Sequence, residues 1–162
     1  YWMMRMVEAG EDPLFIARRM VIFAAEDIGN ADPQALPLAI AVRDAIHFVG
    51  MPEARIPMAQ AVTYLATAPK SNASYKAMLA AAEDVKKHGP LPVPLHLRNA
   101  PTKMMKGLGY GKGYQYAHDY EGAIVEQTHL PDALRERRYY APSERGHEQV
   151  VKQRMELKKK KD

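Results

Sequence analysis

Apolar residues in the first half of the chain recur at three- and four-residue spacing, and Pro and Gly cut this pattern into separate helices. Trp2 to Ala9 reads as a helix that stops at Gly10. Asp12-Pro13 supplies an N-cap followed by a proline in the first turn, where the missing N–H costs nothing. Leu14, Ala17, Val21, Ala24 and Ile28 then line one face of a second helix that runs to Gly29. Apolar residues on its other faces predict a central, largely buried element. Asp32-Pro33 opens a third helix with Ala35, Ala39, Val42, Ile46 and Val49 on one stripe and Gly50 beyond it. A fourth turns Met58, Val62 and Leu65 inward and ends before Pro69, because a residue preceding proline is pushed out of the helical region. Ser71 or Asn72 caps a fifth, whose predicted buried face is Tyr75, Met78, Leu79, Ala82 and Val85. Lys86, Lys87 and His88 complement the dipole at its end.

From Pro90 the pattern changes. Pro90, Pro92 and Pro94 favour an extended path, and Gly107, Gly109, Gly111 and Gly113 interrupt any regular element, leaving a short helix from Thr102 to Lys106. Ile124-Val125 and Tyr139-Tyr140 are candidates for one short strand pair. A polar helix from about Ser143 to Lys160 closes the chain, with Val150, Val151, Arg154 and Leu157 as a thin stripe. These elements predict an all-α, single-domain multi-helix bundle over 1–162, with a helical core at 1–89, an irregular segment at 90–142 packed on it, and a helix with a basic tail at 143–162.

Composition narrows the chemistry. A chain of 162 residues can bury roughly 70% of the surface its unfolded form exposes. The absence of Cys excludes disulfides and Cys-ligated metals and suits a reducing cytoplasm. No apolar stretch approaches the ~20 residues that span a bilayer, so no membrane role is expected. The chain opens inside a helical pattern without an initiator Met, and we read it as a piece of a longer protein. Of the net charge of +4, the last five residues, Lys158 to Asp162, carry +3, which leaves a nearly neutral body.

Three motifs invite chemistry. In Lys106 to Gly113, a Walker A loop would need Gly where Lys106 stands and Ser or Thr where Gly113 stands, so no ATP site is expected there. The same segment interleaves Lys103, Lys106 and Lys112 with Tyr110, Tyr114 and Tyr116. Lysines neutralise phosphates and tyrosine rings stack on bases, which makes Lys103, Lys106, Tyr110, Lys112 and Tyr114 candidate DNA contacts; the competing reading is an irregular loop with solvated lysines. His118-Asp119 and His147-Glu148 lack the further ligands of a metal site, and no metal is expected. Arg18-Arg19 with Glu26-Asp27 are candidates for a catalytic or interface network; the competing and commoner reading is intramolecular ion pairs, made with other helices.

Several long segments resemble one family. Glu8 to Arg19 (EAGEDPLFIARR), Ala25 to Pro33 (AEDIGNADP), Ala68 to Ala73 (APKSNA), Pro92 to Lys103 (PVPLHLRNAPTK) and Leu108 to Tyr114 (LGYGKGY) are similar to the C-terminal region of the MgsA/RarA AAA+ ATPases, which have a eukaryotic relative in Werner-helicase-interacting protein. The resemblance implies a helical domain that follows a clamp-loader-like ATPase core and holds subunits together as a homotetramer. It implies action at stalled replication forks and single-strand gaps, with contact to single-stranded DNA-binding protein and to fork or gapped DNA through the full-length protein. Localisation would be cytoplasmic, on the nucleoid. ATP and Mg are expected in the upstream core, so the fragment itself is expected to be non-enzymatic and to need no cofactor. A nearly neutral body with Ala-rich helices agrees with self-association, and Trp2 and Phe48 are the expected aromatic anchors of the oligomer interface. The basic tail stands outside the family pattern.

Overall fold

The computed structural model describes residues 1–125 and 127–159, and among them it contains α- and shorter helices but no strand. Seven α-helices are described: α1 (Trp2–Glu8), α2 (Pro13–Phe23), α3 (Ala35–Val49), α4 (Arg55–Thr67), α5 (Ala73–His88), α6 (Lys103–Gly107) and α7 (Glu148–Lys159). The described residues form two compact units, one of residues 1–79 with 140–155, the other of residues 80–139 with 156–159. Lys160, Lys161 and Asp162 of the basic tail lie outside the described residues.

The first unit holds the apolar core. Asp12 caps α2 by accepting from the Leu14 N–H at 2.9 Å, with Pro13 in the first turn. Helix α2 packs on α3 and α4 and buries Ile16, Ala17 and Met20. Ala35, Ala39, Val42 and Ile46 form the buried stripe of α3; Val49, at its last residue, is half exposed. From α4, Met58, Ala61 and Leu65 complete the core, and Val62 packs partly buried against it. Small residues dominate these contacts and let the helix backbones approach closely.

Three boundaries differ from the sequence reading, each for a local reason. The second helix does not continue as an α-helix to Ile28: Ala24–Ile28 forms a wider π turn, whose apolar spacing reads the same in sequence. Gly29 ends it at φ +51°, where a Cβ would stand 2.9 Å from the Ser71 carbonyl. Asp32 Oδ1 accepts from the Gln34 N–H at 3.0 Å, so Asp32-Pro33 forms a turn and α3 opens at Ala35. Gly146, at φ +52°, breaks the helical path expected from Ser143, and α7 begins at Glu148. Ile124-Val125 and Tyr139-Tyr140 are not strands.

The expected buried face of α5 is the largest correction. Tyr75, Met78, Leu79 and Val85 are 37%, 56%, 48% and 64% exposed, and Ala82 is exposed too; the buried residue of this helix is Asp84. Periodicity shows that a helix has an apolar side but not what covers it.

Candidate functional site

In the first unit, the segments that looked most distinctive in the sequence converge on one buried carboxylate. Glu148 accepts hydrogen bonds from the Ser71 hydroxyl at 2.6 Å, the Tyr140 hydroxyl at 2.8 Å and the Ser143 N–H at 2.7 Å. Asn30 Nδ2 donates to the Tyr140 hydroxyl and to Ser74 Oγ, both at 3.2 Å, and the His147 N–H donates to the Ala31 carbonyl at 2.8 Å. Burial opposes the charge on Glu148, but the hydrogen bonds from Ser143, Ser71 and Tyr140 outweigh it and hold the carboxyl below its ordinary 4.5. Gly146 permits the approach: a Cβ there would lie 2.1 Å from the Ala31 carbonyl oxygen. This network fastens 140–148 to the turns at 29–32 and 69–74. The sequence reading weighed Glu148 only as part of a zinc motif and missed this role.

Around that frame the first unit leaves apolar surface open. Met3, Met6, Phe15, Met20, Phe23 and Val62 line a groove of about 500 Å³, with Arg19 on its wall. Phe48 is 93% exposed and Trp2 69%; Trp2 is flanked by Tyr1, edge-on at 5.2 Å, and by the Arg5 guanidinium at 5.4 Å. Among the described residues Arg18, Arg19, Glu26 and Asp27 form no ion pair, contrary to the commoner reading, and all but the half-exposed Glu26 lie exposed at the surface.

The second unit is built differently. Asp84 is buried under Arg137, whose Nε and Nη2 lie 2.6 and 2.8 Å from the carboxylate oxygens, with the Tyr139 hydroxyl donating at 3.0 Å. Thr102 caps α6, accepting from the Met105 N–H at 3.2 Å. Arg98 shapes the glycine loop: it donates to the Val93 carbonyl at 2.7 Å and the Tyr110 hydroxyl at 3.1 Å, and its guanidinium lies 5.0 Å from the Tyr110 ring centre. The loop closes on Leu95 through the Gly111 N–H at 2.9 Å. Of the candidate DNA contacts, Lys103, Lys106, Lys112 and Tyr114 are exposed, and Tyr110 is half-buried against Arg98. Between Asp84 and Asp119 the sequence places Lys86, Lys87, Arg98, Lys103, Lys106 and Lys112 with no Asp or Glu, a local imbalance that the whole-chain charge conceals. Among the described residues no cluster of three His, Asp or Glu is placed to hold a metal, His118-Asp119 included, and no helix is long and apolar enough to cross a membrane.

A family model described as the C-terminal region of the MgsA AAA+ ATPase matches residues 1–159. The chain belongs to this family. Replication-associated recombination protein A of Coxiella burnetii is 50% identical over 99% of this chain and 37% of its own length. The Escherichia coli K12 protein of the same name is 47% identical over 96% of the chain and 35% of its own. ATPase WRNIP1 of Dictyostelium discoideum is 50% identical over 86% of the chain and 16% of its own. The chain therefore spans about a third of the bacterial relatives, and it corresponds to the MgsA C-terminal domain, without a Walker A sequence. The Glu148 network gives the family-like segments at 25–33 and 68–73 a structural role within this domain.

Proposed function

We propose that this domain joins the subunits of a replication- and recombination-associated AAA+ ATPase, as a homotetramer acting at stalled forks and single-strand gaps. ATP and Mg binding, and contact with single-stranded DNA-binding protein, belong in this reading to the rest of the longer protein. The observation that carries it is the exposed apolar side of α5 together with Phe48: side chains of this size at helical spacing are normally covered. A lasting contact between subunits buries at least ~1,000 Å² with an apolar centre, which such surfaces can supply. Light scattering over a tenfold dilution in the micromolar range is expected to give a mass well above the 18.2 kDa of one chain. Phe48→Ser and Met78→Glu, both at exposed positions, should lower that mass without loss of helix. A single-chain mass at every concentration overturns the reading.

A second reading is favoured by the acid-free run from Val85 to His118: its exposed lysines and tyrosines suit a nucleic-acid backbone, with binding that weakens steeply in salt.

A further inference from the structure

We propose that the second unit carries a cleft for a backbone phosphate of single-stranded nucleic acid, formed by Lys112 and Arg135 with the side-chain amide of Gln127. The inference rests on the second reading above and assigns it a site. The cleft has a volume of about 330 Å³, and among the described residues its lining includes His96, Gly113 and no carboxylate.

Two N–H donors of the cleft are spent within the protein, and one side-chain amide is left free. The Gln127 carbonyl oxygen accepts from the Gln115 backbone N–H at 3.0 Å, which leaves the Gln127 amide NH₂ as its free end. His96 Nε2 lies 2.7 Å from the Thr128 carbonyl, so this nitrogen carries a proton and donates. Among the described residues, neither the Lys112 nor the Arg135 side chain has an ion-pair or hydrogen-bond partner, whereas Arg137 is committed to Asp84 and Arg98 to Tyr110. Two uncommitted cations and a free side-chain amide around one concavity match an oxyanion.

The surroundings choose among phosphates. Gly113 adopts φ +81° and a Cβ there would meet nothing within 4 Å, so the backbone beside Lys112 is open to close approach. Tyr114 and Tyr116 follow at once and are half exposed, offering rings to bases that only an unpaired strand presents. Lys112 and Arg135 are themselves solvent-exposed, so one phosphate alone is held weakly in water. A strand that also meets Lys103 and Lys106 gains several such contacts together.

The test is fluorescence anisotropy of the full chain with a labelled oligothymidylate of about 20 nucleotides at two salt concentrations. Lys112→Gln with Arg135→Gln is expected to weaken binding about tenfold and to flatten the salt dependence by about 0.7 in log–log slope for each phosphate that is no longer neutralised. Both side chains are exposed, so circular dichroism should stay unchanged. If this pair binds like the parent while Lys103→Gln with Lys106→Gln, or neutralising Lys158 to Lys161, removes binding, the cleft is wrong. Failure of the parent chain to bind at all would remove the nucleic-acid reading as well. Competition by micromolar inorganic phosphate or thymidine monophosphate, dependent on Lys112 and Arg135, would make the cleft a free-phosphate site and overturn the assignment to a strand. Equal affinity for duplex would do the same for the single-strand preference.

Discussion

The two units have interiors of different kinds. In the first, Ile16, Ala17, Met20, Ile28, Ala39, Val42, Met58 and Leu65 are buried together, and Glu148 adds a satisfied polar centre. In the second, no described apolar side chain of residues 80–139 is buried; the buried side chain is that of Asp84. The first unit is therefore stabilised mainly by removal of apolar area from water, which is insensitive to salt and to mild acid. The second depends on an ion pair, side-chain hydrogen bonds and turns, which open locally at lower free energy.

The sharpest way to break the comparison is to open the apolar core. Met58 is 0% exposed, and Met58→Ala removes buried methylene groups and leaves a cavity that surrounding helices can close only in part. The expected loss is about 2–5 kcal/mol in a urea titration. Lys112→Gln in the second unit should stay within about 0.5 kcal/mol. If the two substitutions cost the same, the contrast between the interiors has no energetic meaning.

A smaller effect should come from the polar centre of the first unit. Glu148→Gln keeps the volume but presents an NH₂ to groups that all donate, the Ser71 and Tyr140 hydroxyls and the Ser143 N–H. One donor is then left without an acceptor, at a cost of about 1–3 kcal/mol. Hydrogen exchange at 140–148 should rise more than exchange in α3, since the network fastens that segment. Unchanged exchange there would show that Glu148 is carried passively by its neighbours.

Legibility in the sequence followed the range of the interactions. The Asp12 cap, the α3 stripe and the end of α4 before Pro69 are set by residues within a few positions of one another, and each is readable. The π turn at 24–28 was not, because its apolar spacing is shared with an α-helix. Neither buried carboxylate was readable. Ser71 reaches Glu148 across 77 positions and Arg137 reaches Asp84 across 53, and no local pattern encodes such partners. The outward face of α5 escapes sequence reading for the opposite reason: its pattern is clear, but an apolar stripe left exposed reads like one covered by its own chain. The acid-free run was visible in principle and was hidden by averaging charge over the whole length.

The smallest expected effect concerns Asp84, and pH resolves it. The Arg137 guanidinium, hydrogen bonded to the carboxylate, pulls Asp84 from its ordinary 3.8 down to about 2; burial opposes this, and the Tyr139 hydroxyl adds to the lowering. A carboxyl more acidic in the folded chain than in the unfolded one stabilises the fold fully above its unfolded value and loses that contribution as pH falls toward the folded one. The window therefore runs from about pH 4 down to about pH 2. Since the Arg137 side chain is 52% exposed, solvent screens the pair, and its contribution should shrink further in high salt, where the neutral donors around Glu148 should be unaffected. Asp84→Asn should accordingly open 137–139 modestly at neutral pH, measured by hydrogen exchange, and the difference from the parent should vanish across the window. A carbon-13 titration in which the Asp84 carboxyl moves near 3.8 instead of about 2 would show that Arg137 does not hold it in solution, and the second unit would then lack the polar centre that separates it from the first.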